Sequence, residues 1–238
     1  VLLVRLLTRA AGMPTRSGDK LDRHALVKES GLEVLSLHTD LGSVERDAAA
    51  VAAEAQSFGT HYAVITGMYR FAYADPAAWH DLAKRLNQAG AALAKQGVQL
   101  LYHNHNCELQ RMPDGRLAYD ILLAETDPAA VNFELDTYWF AEGGADVAAV
   151  MRALGPRMKL WHVNDRGARL DPQKPAMTPI VKTDSMELGA GSLPLETWLA
   201  LAKQNGVEAA VLESHRNWVN GSPVQCAQAS ARWLHEHL

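Results

Sequence analysis

Short β-branched or leucine-rich runs alternate with longer alanine-rich amphipathic stretches along this chain, and that alternation restricts its fold more than any other feature. The clearest runs are Leu32 to His38, Tyr62 to Thr66, Val98 to His103, Val131 to Asp136, Met158 to His162 and Ala209 to Glu213. Such runs suit parallel strands buried on both faces, with the amphipathic segments as helices outside them. Ser43 to Phe58 predicts one helix, with Ser43 as N-cap, Glu45 in the first turn and Gly59 at its end. Asp75-Pro76 opens the next helix and Gly97 closes it. Asp146 to Leu154 and Leu195 to Asn205 follow, ended by Gly155 and Gly206, and a last helix starts near Val224. The longest irregular stretch, Asn164 to Pro194, follows a strand; loops of that length often carry function.

No linker and no internal repeat interrupts this order, so residues 1–238 read as a single α/β domain of the TIM (β/α) barrel type. Before Leu32 there is room for one helix and a short run, Val1 to Leu6, where an eight-unit barrel needs two strands and two helices. The expectation is therefore a barrel lacking part of its first βα units. Its exposed strand edges would invite a covering partner, a second copy of the chain included. The opening VLLVRLLTRAAG does not begin with Met and shows nothing resembling a cleavage site, so it reads as a fragment, a processed start or a mis-assigned start rather than a targeting signal.

A net charge of −4 argues against a nucleic-acid groove, and no apolar run approaches the ~18 residues of a membrane span. The only cysteines, Cys107 and Cys226, stand outside any CxxC motif and read as reduced thiols of a cytoplasmic protein.

Several runs end in ionisable residues. These are His38, the stretch His103-Asn104-His105-Asn106-Cys107-Glu108, Asp136, His162 and Glu213. Strand C-termini meet at one mouth of a parallel barrel, so groups distant in sequence converge there. A lone His or Asp at a strand end is more often a cap than a ligand. Several together would be costly to bury without a counter-ion, which favours a shared metal site. Carboxylates with imidazoles suit Mn²⁺, Mg²⁺, Co²⁺ or Zn²⁺, and the lack of thiolates argues against a closed structural zinc site.

These segments resemble the sugar phosphate isomerase/epimerase family of xylose isomerase-like barrels. Tyr102-His103-Asn104-His105-Asn106-Cys107-Glu108 is similar to its YHNHxxEF segment, with Leu109 in place of Phe. Leu135-Asp136-Thr137-Tyr138-Trp139 followed by Gly143-Gly144-Ala145-Asp146 resembles its strand-six Asp and the GG that starts the next helix. Trp161-His162-Val163-Asn164-Asp165-Arg166 resembles its HxKD segment, Leu188-Gly189-Ala190-Gly191 its LGxG turn and Leu212-Glu213 its final strand-end Glu. The likeness covers residues 30 to 220, roughly, and its strength lies in the order and spacing of motifs that are individually weak.

The resemblance implies a divalent metal held by a Glu or its equivalent, an Asp, a His and a final Glu. Asp136, His162 and Glu213 match the last three. For the first, the register points to His103 and the charge to Glu108, and Glu108 is preferred. The implied chemistry is proton transfer through an enediolate of a keto sugar, cyclitol or related polyhydroxy carbonyl compound, with metal as Lewis acid. Glu108, Glu213 and His105 are the candidates to move the proton. His38, Trp139, Asp165 and Arg166 are the expected substrate contacts, with capping, core-filling or bracing of His162 as the plainer roles. Lys182 and His215 are weaker candidates for the same mouth. Asn164 stands where the family often has Lys, which weakens the case for a phosphorylated substrate. The motifs leave open an isomerase or epimerase, a dehydratase or lyase on an inosose or 3-keto sugar, and a catalytically silent binding protein. An endonuclease IV-like role would need a richer ligand set.

Overall fold

The computed structural model describes residues 22–68, 70–171, 173 and 177–238. The chain divides into two units, residues 1–34 and 35–238. In the first, helix α1 (Arg23–Ser30) begins at Asp22, whose side chain accepts from the Ala25 N–H at 3.0 Å, and ends at the left-handed Gly31. The expected run Val1 to Leu6 lies outside the described residues.

The second unit alternates strand and helix. It runs β1 (Leu37–Thr39), α2 (Leu41–Arg46), α3 (Ala48–Ser57), β2 (Tyr62–Thr66), α4 (Pro76–Ala94), β3 (Gln99–His103), α5 (Ala118–Glu125), β4 (Val131–Asp136), α6 (Thr137–Glu142), α7 (Val147–Leu154) and β5 (Met158–Val163). A small antiparallel pair follows, β6 (Asp165–Gly167) and β7 (Asp184–Met186), then α8 (Leu195–Asn205), β8 (Ala209–Leu212) and α9 (Pro223–His237). Strands β1, β2, β3, β4, β5 and β8 pair in that order, all parallel.

This sheet is curled. Strands lie ~4.8 Å apart, so β1 and β5 would be about 19 Å apart in a flat sheet. Side chains standing perpendicular to such a sheet could not close that gap. Yet the ring centroids of His38 on β1 and His162 on β5 are 5.9 Å apart. The six strands therefore form part of a barrel wall with its concave face inward.

Alternation along the strands sorts the residues into two populations. Tyr62, Val64, Leu101 and Leu160, with Ala209 beside them, form a small apolar layer on one face. Ala63, Ile65, Leu100, Tyr102, Phe133, Leu135 and Trp161 face the other way and join the large core under the helices. Helix α4 shows why the helices pack there. Its buried residues Trp79, Leu82, Ala83, Leu86, Ala89, Gly90 and Leu93 recur at three- and four-residue spacing. Asp75 caps it by accepting from the Ala77 N–H, and Pro76 fills its first turn.

The expected single helix Ser43 to Phe58 is two. Asp47, at φ −158° and ψ 82°, interrupts it. Its carboxylate caps α3 through the Ala50 N–H, while its own N–H bonds back to the Ser43 carbonyl. Asp40, rather than Ser43, caps α2. The first strand is shorter than the run Leu32 to His38 implied, and Leu32 is 72% exposed. The stretch Asn164 to Pro194 holds the β6–β7 pair, and helices α5 and α6 were not foreseen. Among the described residues, no helix is long and apolar enough to cross a membrane.

Candidate metal centre

On the face that carries the inner apolar layer, the C-terminal strand positions turn polar. His103 follows Leu101 by two residues on β3, and His162 follows Leu160 on β5. Glu134 and Asp136 share one face of β4. Glu213 continues β8, its N–H bonded to the Val163 carbonyl. One ligand atom each from His103, Asp136, His162 and Glu213 lies within 4.8 Å of all the others. His38, Glu134 and His162 form a second such group, sharing His162.

The details show how each side chain is aimed. His162 Nδ1 lies 3.1 Å from Glu213 Oε2 and 3.9 Å from Asp136 Oδ2. One oxygen of Asp136 accepts from the Trp139 N–H at 3.0 Å and so caps α6, which leaves the other for the cluster. Asn104 holds Asp136 in place. Its side-chain amide bonds both the N–H and the C=O of Asp136, continuing the β3–β4 pairing past the end of β3. His38 links Thr66 Oγ1 at 2.9 Å through Nδ1 with Glu134 Oε1 at 3.0 Å through Nε2.

Among the described residues, three buried polar atoms at this spot have no hydrogen-bond partner: His103 Nδ1, His162 Nε2 and Glu134 Oε2. His162 Nε2 approaches Glu134 Oε1 to 2.5 Å, but off the direction that a hydrogen bond requires. Burial holds the His103 imidazole below its ordinary value, and so neutral. Burial also pushes Asp136 up to about 7. Burial alone would lower His162, but the Glu134 and Glu213 carboxylates raise it to about 9. For Glu134 and Glu213 burial is outweighed by the neighbouring imidazoles, which hold both carboxyls well below the usual range. Two imidazoles and two carboxylates converging in one cluster fit a divalent cation with mixed nitrogen and oxygen ligands. The grouping draws on four strands, which is why no contiguous motif contains it.

The remaining expected residues are placed as follows. Glu108 is not brought to the cluster. Neighbours alternate across a strand, so Tyr102 faces the helix layer while His103 faces inward, and Glu108 is buried on the side of Tyr102. Its carboxylate accepts from Tyr102 Oη at 2.8 Å, the His105 N–H at 3.0 Å and Cys107 Sγ at 3.1 Å. It fixes the loop that carries His105, and the member of this stretch that joins the cluster is His103 rather than the preferred Glu108. The His105 ring stands half-buried, 5.0 Å from His103 and 5.8 Å from Trp139. Trp139 lies between His105 and His215, 6.3 Å from the latter, and His215 Nε2 is 3.1 Å from Glu213 Oε1.

Asp165 is buried and its oxygens are occupied. They accept the N–H groups of Arg166 and Leu193 on Oδ1 and of Gly189 and Gly191 on Oδ2, at 2.7–3.1 Å. It organises the loop after β5, and the LGxG turn wraps around it. Arg166 lies over the Tyr138 ring with Glu142 nearby. Glu134, which the sequence reading left without a role, is the residue it missed. The available signal was strand periodicity, since Glu134 lies two residues before Asp136 on a fully buried strand.

A profile of the xylose isomerase-like TIM barrel family matches residues 6–237. An inosose dehydratase from Lactiplantibacillus plantarum is 25% identical over 169 residues, 67% of this chain and 54% of that relative. The chain thus spans about half the length of that curated relative. Among solved structures, a sugar phosphate isomerase/epimerase from Parabacteroides distasonis superposes with a TM-score of 0.73 at 21% identity, covering 90% of this chain and 74% of that one. A xylose isomerase-like TIM barrel protein from Mycobacterium smegmatis in complex with magnesium gives 0.63 at 17%, covering 89% and 75%. At these identities the structural likenesses are of fold.

Proposed function

The chain belongs to the xylose isomerase-like TIM barrel family, and from that premise we propose that it is a divalent-cation-dependent isomerase or epimerase of a small polyhydroxylated carbonyl compound. The observation that carries this reading is the convergence of one ligand atom each from His103, Asp136, His162 and Glu213 within 4.8 Å of one another. A silent scaffold has no need of such a group, because gathering buried ionisable side chains without a counter-ion costs stability.

His103, Asp136, His162 and Glu213 would hold the cation. When bound, it supplies Lewis acidity toward the carbonyl and an adjacent hydroxyl oxygen, which acidifies the neighbouring C–H. The proton is moved by groups of the chain. Glu213 is one candidate, steered by His162 and His215. His105 is the other, half-exposed beside Trp139, with its backbone fixed by Glu108. Trp139 offers an apolar wall to a sugar face. A cavity of about 390 Å³ beside the cluster is lined by His38, Asp40, Thr66 and Met68, among others, and provides hydroxyl-binding groups. Return of the proton to the adjacent carbon gives isomerisation, and return to the opposite face gives epimerisation.

Dehydration is a second reading, favoured by the likeness to an inosose dehydratase. Here the same C–H proton leaves, and a β-hydroxyl departs as water after protonation by the second group. One experiment separates the readings. Purified protein is loaded with Mn²⁺ or Co²⁺ and incubated in D₂O with keto sugars and inososes. Isomerase or epimerase action puts deuterium into recovered sugar of unchanged composition, whereas a dehydratase gives a product lighter by one water. Neither change, with ion bound, would favour a binding protein.

A further inference from the structure

We propose that Glu134 is a positioning residue that fixes the tautomers of both ligand imidazoles, rather than part of a second cation site. This rests on the reading of His103, Asp136, His162 and Glu213 as the ligand set.

Glu134 is fully buried, and three rings from three other strands close on its Oε1. His162 Nε2 lies at 2.5 Å, His38 Nε2 at 3.0 Å and His103 Nδ1 at 3.6 Å. His162 meets Asp136 and Glu213 through Nδ1 alone. A neutral imidazole has one N–H and one lone pair, so a lone pair on Nδ1 puts the proton on Nε2, facing Glu134. A proton on His103 Nδ1, turned to the same carboxylate, leaves Nε2 as that ring's donor to the cation. Histidines bound to metals usually donate their other N–H to a carboxylate or carbonyl, which sets ring orientation and raises basicity. Here one carboxylate serves two ligands. Its Oε2 has no partner, so it retains acceptor capacity for both rings.

The grouping of His38, Glu134 and His162 also has the spacing of a cation site. Filling both sites would require His162 to give up both ring protons and bridge as an imidazolate. The chain His38–Glu134–His162 extends instead to Thr66 Oγ1, which orients His38. Thr66 on β2, His38 on β1, Glu134 on β4 and His162 on β5 are thus tied by one polar thread across the barrel wall.

The test is titration of metal-free protein with Mn²⁺ and with Co²⁺, comparing wild type with Glu134→Gln. The expected result is one ion per chain in both, an affinity 10–100-fold weaker in the variant, and a changed Co²⁺ visible spectrum. The variant's metal-free melting temperature should fall, because buried His162 and His38 lose a carboxylate partner, so affinities and spectra are compared at a temperature where both proteins are folded. A purely structural role would lower the melting temperature while leaving the folded variant's affinity and Co²⁺ spectrum unchanged, and would overturn the proposal. So would two ions in wild type falling to one in the variant. If the variant does not fold, ¹⁵N-histidine NMR of the ion-loaded wild type decides. His162 protonated on Nε2 and His103 on Nδ1 support the proposal, and either opposite tautomer defeats it. Wild type that binds no ion would instead sink the reading of the site on which this inference rests.

Discussion

His162 and Asp136 bring a pH dependence to the centre that a simple carboxylate site would lack. Without an ion, His162 holds its proton up to about pH 9 and Asp136 up to about pH 7, while Glu134 and Glu213 are already ionised in acid. A binding cation must displace the protons still present. Affinity should therefore rise with pH by about a hundredfold per unit below 7, by about tenfold per unit between 7 and 9, and then level off. Competition titrations against a chelator from pH 6 to 10 would measure this, and a flat profile would mean the cation avoids both residues. Asp165 makes a contrasting prediction. Replacing it by Asn sets an amide NH₂ against N–H donors of the LGxG turn, which costs roughly 2–4 kcal/mol in urea unfolding while ion affinity is retained. Unchanged stability with lost turnover would return Asp165 to the substrate. At this scale the strand-end residues Asp136, His162 and Glu213 were legible as a group, because each closes an apolar run. The choice between His103 and Glu108 was not. It turns on which side of β3 the following loop folds, and that is decided by the Tyr102 and His105 bonds to Glu108, which are tertiary contacts.

Among the elements, α4 shows how a local rule can be overridden. Gly90 sits in its interior, where alanine would normally gain up to about 1 kcal/mol in helix propensity. A Cβ at Gly90 would lie 2.1 Å from the Ala130 carbonyl oxygen, backbone that immediately precedes β4. No side-chain rotation relieves that overlap. Gly90→Ala should therefore destabilise by about 1–3 kcal/mol despite the propensity gain. Ala91→Gly, at the exposed neighbouring position, should lose about 1 kcal/mol from propensity alone. A Gly90→Ala protein as stable as wild type would show that α4 can move away from β4. The strands were legible where burial on both faces leaves an apolar run, and β2 and β4 match their expected bounds residue for residue. The break at Asp47 was missed because an alanine-rich stretch keeps helical periodicity straight through it. Only the reciprocal bonds of Asp47 with Ser43 and Ala50 end one helix and start the next.

Across residues 35–238, β3, β4, β5 and β8 each supply one member of the cluster, so a bound cation joins four strands at their C-terminal ends. Among the described residues, the sheet has β1 and β8 at its two ends, and β8 has one paired neighbour, β5. Glu213 extends that terminal strand, so coordination would tether it to β3 and β4 as well. A ligand that binds only the folded chain adds RT ln(1 + [L]/Kd), about 2.7 kcal/mol at a hundredfold excess over Kd. For a chain of this size that corresponds to a rise in melting temperature of roughly 5–10 °C. Calorimetry with and without Mn²⁺ should show the rise, a chelator should reverse it, and Asp136→Ala combined with Glu213→Ala should abolish it. The tether makes a sharper distinction. Hydrogen exchange at the β8 amides should slow on ion binding by a larger factor than at β2, which supplies no ligand and already has a neighbour on each side. Equal protection of β2 and β8 would mean that the cation stabilises the fold without reaching Glu213.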